Sequence, residues 1–83
     1  MDLKTYLSTL TLKERDALAA RCDTSAGHLR NISYGYRSCG LSLSIALERE
    51  SGGAVTCEEL RPDVDWSALR ARPRVQIREA NVA

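Results

Sequence analysis

The chain has 83 residues, enough for one small domain around a single core. Hydrophobic residues make up 43% of it and charged residues 28%, a mixture too apolar for a fully disordered chain, and the net charge of +1 by itself says nothing about nucleic acid. No apolar run approaches the roughly 20 residues of a membrane span, and the N-terminus lacks the basic lead and long apolar stretch of a signal peptide. We therefore expect a cytoplasmic protein that does not associate with a membrane.

A first helix is predicted at the N-terminus, where apolar residues recur at i, i+3, i+4 and i+7 behind Asp2 as N-cap. The second helix starts at Thr11, which with Glu14 has the spacing of a capping box. Leu18 lies on the inner face of this helix. Asp23 falls where the chain must turn, and Asp tolerates the left-handed conformation better than most residues.

A third short helix follows after only four residues, Cys-Asp-Thr-Ser. Ser25 is its predicted N-cap, and Leu29 and Ile32 are its buried pair. It is expected to end near Tyr34, since Gly35 suits the positive φ that often follows a helix. Two short helices joined by a tight turn, the second polar on its outer side, are what a helix-turn-helix requires.

A fourth helix is predicted from about residue 42 to 51, with Leu47 on its inner face and a glycine pair ending it. Thr56 and Glu59 have the spacing of a second capping box. The short helix that they start must end before Pro62, because a proline disfavours helical backbone in the residue before it.

One more helical turn, capped by Asp65, is predicted near the C-terminus. Further on, Val75 and Ile77 alternate with polar residues, which suits a short strand, while a frayed, disordered tail is the alternative. The chain is accordingly divided into a helix-turn-helix domain, residues 1–72, and a C-terminal tail, residues 73–83.

The predicted fold is all-α, a compact bundle of about five short helices that contains the helix-turn-helix. One core is expected to hold Leu7, Leu18, Leu29, Ile32, Leu47 and Leu60. Trp66 is predicted to seal the end of this core or to take part in a dimer contact, together with Val75 and Ile77, rather than to stack on a base.

The three cysteines, Cys22, Cys39 and Cys57, include no C-x-x-C pair, and their odd number does not suit an extracellular disulfide scaffold. With His28 they offer four metal ligands, but none of the spacings is that of a structural zinc site. We expect buried or half-buried thiols, with no metal and no cofactor.

Charged residues are unevenly distributed. No acidic residue lies between Asp23 and Glu48, whereas acids dominate from Glu48 to Asp65. Arg30 and Arg37 fall in the acid-free segment, which would not repel a polyanion. A neutral, merely polar face is the alternative interpretation of this segment.

The stretch LAARCDTSAGHLRNISYG, residues 18–35, is similar to the helix-turn-helix of the Cro/C1-type phage regulators. The continuation ALERESGGAVTCEELRPDVDW, residues 46–66, resembles the YdaS-type branch, small Cro-like proteins of prophages and bacterial chromosomes. The similarity covers roughly residues 12–66, and ELRPD, residues 59–63, is its most specific part. It implies a lambda-repressor-like fold with double-stranded DNA as the ligand.

The resemblance further implies a recognition helix capped by Ser25, whose free N–H groups can bind a phosphate. The residues that would face the DNA groove are Ala26, Gly27, His28, Arg30 and Asn31. Those that would lie along the DNA backbone are Tyr34, Tyr36, Arg37 and, near the start of the second helix, Arg15.

Side-chain chemistry separates these candidates. Asn31 can pair with adenine through two hydrogen bonds, its alternative being an exposed Asn that binds water. Arg30 could grip guanine or touch only phosphate. His28 could touch DNA or simply face solvent, and Arg15 could contact phosphate or be merely solvated. Ala26 offers at most a methyl contact.

We therefore expect a sequence-specific DNA-binding transcriptional regulator, a Cro-like repressor that acts as a homodimer on a pseudo-palindromic operator. The alternative is an antitoxin-type module that binds a partner protein and regulates its own gene. The acidic block from Glu48 to Asp65 could bind such a partner. An enzyme is not expected, because no nucleophile–base pair, paired-carboxylate site or phosphate loop is visible.

Overall fold

The computed structural model describes residues 1–71, which contain six helices and no β-strand. The helices are α1 (Leu3–Ser8), α2 (Leu12–Arg21), α3 (Ala26–Ser33), α4 (Leu41–Glu50), α5 (Cys57–Leu60) and α6 (Trp66–Ala71). The all-α prediction is confirmed, with six helices where about five were expected. Within these residues, no helix has the length and apolar character to cross a membrane. The candidate strand at Val75 and Ile77 and the proposed tail, residues 73–83, lie outside the described residues.

The helices begin where side chains satisfy backbone N–H groups that have no partner within the helix. The Asp2 carboxylate accepts a hydrogen bond of 2.8 Å from the N–H three residues further on. Thr11 and Glu14 close the predicted capping box of α2 with hydrogen bonds of 2.8 and 3.1 Å. Thr56 and Glu59 close that of α5 at 3.0 and 3.3 Å. These three predicted caps are therefore confirmed.

The turn after α2 has the predicted left-handed residue. Asp23 has a φ of 58°, and the N–H of Thr24 beyond it donates to the carbonyl of Ala19 at 2.9 Å. This hydrogen bond satisfies a carbonyl of the last helical turn, as in a Schellman motif. The chain also reverses after α3 at Gly35, whose φ is 83°. These two turns set the length of α3 and its placement beside α2.

The core lies between α1, α2, α3 and α4, with residues before α5 closing one side. Of the predicted core residues, Leu7, Leu18, Leu29 and Leu47 are buried. Ile32 and Leu60 are only partly buried and pack against the edge of the core. Val55 is fully buried, so the residue before the α5 cap belongs to the core itself.

Helix α4 begins at Leu41, one residue earlier than predicted, because Gly40 takes the N-cap position without a side-chain hydrogen bond. Ser44 is fully buried, and its hydroxyl donates to the Gly40 carbonyl at 2.8 Å, so this polar group is satisfied inside the core. The opposite face of α4 exposes Leu41 and Ile45.

Trp66 seals the end of the core: only 4% of it is exposed. Its indole Nε1 donates to the carbonyl of Arg61 at 2.9 Å, so its polar atom is also paired within the chain. Arg61 in turn donates through Nη1 to the Cys39 carbonyl at 3.0 Å and binds Asp63 through its other nitrogens. The indole is therefore buried within the chain, which supports the first of the two predicted roles of Trp66, that of sealing the end of the core.

Candidate nucleic-acid interface

Helices α2 and α3 form the helix-turn-helix, joined by residues 22–25. The Ser25 side chain accepts a hydrogen bond of 3.1 Å from the His28 N–H, which confirms Ser25 as the N-cap of α3. Leu29 has no exposed surface and fastens α3 to the core. Helix α3 packs against both α2 and α1, so these two helices hold it in place.

The outer face of α3 is formed by residues at i, i+3, i+4 and i+7, the spacing of one helical face. These are Gly27, Arg30, Asn31 and, at the C-cap, Tyr34, and all four are exposed. Ala26 is half-buried at one edge of this face. The predicted groove-facing residues therefore divide into an exposed centre and partly covered flanks.

His28 lies on one flank of α3, half-buried in a depression between the turn after α2 and the start of α4. Thr24 and Leu43 line the same depression. His28 is thus separated from Arg30, which lines a different groove on the other flank of α3, beside α1. The structure does not bring all the predicted groove-facing side chains together.

Tyr34 is surrounded by cations. The Nζ of Lys4 in α1 lies 5.1 Å from the centre of its ring, and the guanidinium carbon of Arg30 lies 5.8 Å from it. The ring of Tyr36 is 6.1 Å away, centre to centre, and tilted by 43°. Both distances to cations are within the range of favourable cation–π contacts. The end of α3 thus combines two aromatic rings with two positive charges.

Sequence reasoning did not single out Lys4. The apolar spacing of α1 predicts only that Lys4 faces away from the core, as most lysines do. Its position beside Tyr34 follows from the packing of α1 against α3, thirty residues further along the chain. No local signal in the sequence could have paired these two residues.

Arg15 has a structural contact as well as a place near the interface. It is half-buried, and its Nε donates to the carbonyl of Leu7 at 2.8 Å. This hydrogen bond satisfies a carbonyl at the end of α1 and joins α1 to α2. Arg15 is therefore not the merely solvated side chain that was the alternative at this position.

Ion pairs divide the cations into two groups. Among residues 1–71, those that make no ion pair are Lys4, Lys13, Arg15, Arg30 and Arg37. All five belong to α1, α2, α3 or the loop after α3. The cations that are paired lie at the end of α2 or in the second half of the described chain, apart from the N-terminal amine.

The acidic block from Glu48 to Asp65 is engaged within the chain. Its ion-paired members are Glu48 and Glu58 with Arg70, Glu50 with Arg21 and Arg49, Glu59 with the N-terminal amine, and Asp63 with Arg61. Asp65 accepts hydrogen bonds from Ser67 and from the N–H of Ala68. The hydrogen bonds from Arg49 and Arg21 hold the pKa of Glu50 below its usual value. The block is therefore no free acidic surface.

The three cysteines are buried and free, as expected. Burial raises the pKa of the Cys22 and Cys39 thiols, and burial next to the Glu48 carboxylate raises that of Cys57 to about 11. The thiols are therefore protonated and poorly reactive near neutral pH. In the part of the chain that the structure describes, no three His, Cys, Asp or Glu side chains are grouped closely enough to hold a metal ion.

No protein-family model matches the chain. A prophage transcriptional regulatory protein of Escherichia coli (strain K12) is 34% identical to it over 62 residues, which cover 75% of this chain and 94% of that protein. A second protein of the same organism, provisionally described as the transcriptional regulator YdaS, is 68% identical over 25 residues. Those residues are 30% of this chain and 26% of that protein, so the chain spans about a quarter of the second relative. With a match that runs along almost the whole of the first relative and a local match to the second, the chain belongs to the family of prophage transcriptional regulators, in the YdaS branch.

Proposed function

We propose that the protein is a sequence-specific DNA-binding regulator of transcription whose α3 enters the major groove. The descriptions of both relatives name transcriptional regulation, and a helix-turn-helix is a common means of achieving it. In such motifs the second helix contacts base edges while the first helix braces against the DNA backbone. Helices α2 and α3 take these two roles in the proposal.

One observation carries this proposal: Arg30, Asn31 and Tyr34 form an exposed helical face, and no acidic residue among residues 1–71 pairs with Arg30. DNA supplies phosphates and base edges that an arginine and an amide on one helical face can bind. Arg37 follows in the acid-free loop after α3 and is exposed. Among residues 1–71, the cations without ion pairs thus belong to α1, α2, α3 or the loop after α3, and Glu48, Glu50, Glu58, Glu59 and Asp63 are paired with other cations.

Each side chain then has a distinct task. Asn31 reads a base edge, because its amide can donate and accept hydrogen bonds together. Arg37 and Tyr36, both exposed beyond the end of α3, contact phosphates and set the position of the helix on the duplex. Arg15 adds a phosphate contact through its Nη groups, which make no hydrogen bond within the described residues. Gly27 lets the helix approach the base edges closely, since it carries no side chain.

The protein is proposed to act as a homodimer on a pseudo-palindromic operator, as a Cro-like repressor. One helix of this length reads only a few base pairs, so a single copy would bind weakly and with little specificity. Two copies related by a twofold axis would read half-sites about one helical turn apart. Repression then needs no chemistry, because occupancy of the operator in the cytoplasm excludes the polymerase.

Selection from a random pool of duplexes at about 0.15 M salt tests this function. We expect recovered sites to share a symmetric motif, and the protein to bind the recovered site about 10³-fold or more tightly than a scrambled duplex. Sedimentation on the recovered site should give two protein chains for each duplex. Equal affinity for both duplexes would remove the sequence-specific reading, and one chain for each duplex would remove the dimer.

The antitoxin-type alternative depends on a partner protein for the acidic block. The contacts of that block within the chain argue against this use, since a partner's cations would have to displace Arg21, Arg61 or Arg70. If the wild-type protein binds neither duplex at this salt concentration, the proposal of a DNA regulator fails, and the search turns to a protein partner.

A further inference from the structure

Lys4 belongs to α1, outside the helix-turn-helix, yet it lies against the end of α3. Its Nζ is 5.1 Å from the centre of the Tyr34 ring, and no carboxylate among residues 1–71 pairs with it. A lysine that no acid holds ordinarily moves freely in solvent, at a considerable gain in side-chain entropy. The ring of Tyr34 gives it a preferred position.

Arg30 approaches the same ring, at 5.8 Å from its centre. Two cations that share one aromatic ring repel each other, and the negative charge on the face of the ring offsets that repulsion only in part. Lys4 and Arg30 also line one groove of about 480 Å³ between α1, α2 and α3, with Arg15 and Asp16. Asp16 makes no ion pair with Lys4, Arg15 or Arg30. Because these three cations outnumber the single carboxylate, the groove has a net positive charge.

We propose that the Tyr34 ring holds Lys4 beside Arg30, so that α1 contributes a phosphate contact to the DNA interface of α3. This inference rests on the proposed function. The phosphates run along both edges of the groove that a recognition helix enters, so cations on the flank of that helix are placed to meet them. Tyr34 is a positioning residue in this arrangement: the face of its ring holds Lys4 in place, and its hydroxyl is not needed.

The first test measures how DNA affinity depends on salt. Each phosphate contact contributes about 0.9 to the slope of log affinity against log salt. Lys4→Gln should therefore lower the magnitude of this slope by about 0.9 for each bound protein chain, and weaken the recovered and the scrambled duplex equally. Arg49→Gln is the matched control, because it removes the same charge from an exposed side chain that is paired with Glu50, and its slope should remain that of the wild type.

The second test addresses Tyr34. Tyr34→Leu removes the aromatic face and should reduce the slope as Lys4→Gln does, whereas Tyr34→Phe keeps the face and should retain the wild-type slope. In the double variant, Lys4→Gln with Tyr34→Leu, we expect no reduction beyond that of either single change, since both act through one contact. Thermal melting shows whether each variant is folded. If Tyr34→Leu unfolds, the salt slopes of the two single variants Lys4→Gln and Tyr34→Phe test the inference.

Two results would overturn the inference while leaving the proposed function intact. A wild-type slope for Lys4→Gln would mean that Lys4 touches no phosphate. A reduced slope for the Tyr34→Phe variant would mean that the hydroxyl of Tyr34, and not the face of its ring, positions Lys4. If the wild type fails to bind DNA at any salt concentration, the proposed function falls first and this inference with it.

Discussion

The carboxylate of Glu48, near the end of α4, accepts a hydrogen bond of 2.8 Å from the backbone N–H of Cys57, the first residue of α5. The same oxygen accepts from Arg70 at 2.8 Å. One side chain therefore joins α4, α5 and α6. It also satisfies an N–H group at the start of α5, which is only four residues long.

Removal of this carboxylate should destabilise the fold. Glu48→Ala leaves a partly buried N–H without a partner, and we expect the free energy of unfolding to fall by about 1–3 kcal/mol. Glu58→Ala is the matched control: Glu58 also pairs with Arg70 but is exposed, so its loss should cost less than about 1 kcal/mol. Urea unfolding of both variants measures the difference. Equal losses would show that the Arg70 ion pairs, and not the hydrogen bond to Cys57, hold α5.

The same carboxylate predicts a dependence on pH. The hydrogen bond from the Cys57 N–H, the largest cause, lowers the pKa of Glu48 below its ordinary 4.5. The ionised Glu48 carboxylate therefore stabilises the fold fully above pH 4.5. This contribution is lost as the pH falls through the lower pKa that Glu48 has in the folded state, because the carboxylate becomes protonated. We expect the gap in unfolding free energy between wild type and Glu48→Gln to be constant from about pH 6 to 8 and to shrink below about pH 4. A gap that does not change with pH would contradict this.

Leu29 anchors α3, and its truncation should be costly. Leu29 has no exposed surface, so Leu29→Ala leaves a cavity and should lower the free energy of unfolding by about 2–5 kcal/mol. Leu12→Ala serves as the comparison, because Leu12 is 75% exposed and its truncation should change stability by less than about 0.5 kcal/mol. Thermal or urea unfolding measures both. Similar melting temperatures for the two variants would show that α3 packs with another face.

Gly35 and Gly27 should respond oppositely to the same substitution. An added Cβ meets nothing within 4 Å at either position, so only backbone conformation differs. Gly35 has a φ of 83°, and Gly35→Ala should cost about 1 kcal/mol or more. Gly27 is helical, and Gly27→Ala should stabilise by about 0.5–1 kcal/mol. Unfolding curves that move in the same direction would argue against the turn assigned to Gly35.

Asn31 and Arg37 should separate reading of the sequence from positioning on the backbone. Asn31→Ala should cost about 1–3 kcal/mol on the recovered site and leave binding to a scrambled duplex nearly unchanged. Arg37→Ala should weaken both duplexes alike and reduce the salt slope by about one unit for each bound chain. Titrations of each variant on the two duplexes give the answer. If Asn31→Ala weakens both equally, Asn31 contacts the backbone, and base reading passes to Arg30 or His28.

Local structure was predictable from the sequence alone because it depends on residues a few positions apart. The capping residues Thr11, Ser25 and Thr56 each bond a backbone group three residues away. The left-handed φ of Asp23 likewise depends on its immediate neighbours. These short-range rules were enough to place α2, the turn and α3, and with them the helix-turn-helix and most of its core leucines.

Only the tertiary structure decided which distant residues meet. Lys4 and Tyr34, Arg15 and Leu7, and the acids of α4 with the arginines of other elements are brought together by the packing of whole helices. The burial of Trp66 has the same origin, since a tryptophan in a short helix suits a core or an interface equally well. Helical spacing shows which face of a helix is apolar, but the polar neighbours of a residue depend on how the helices pack against one another, and no short stretch of sequence contains that information.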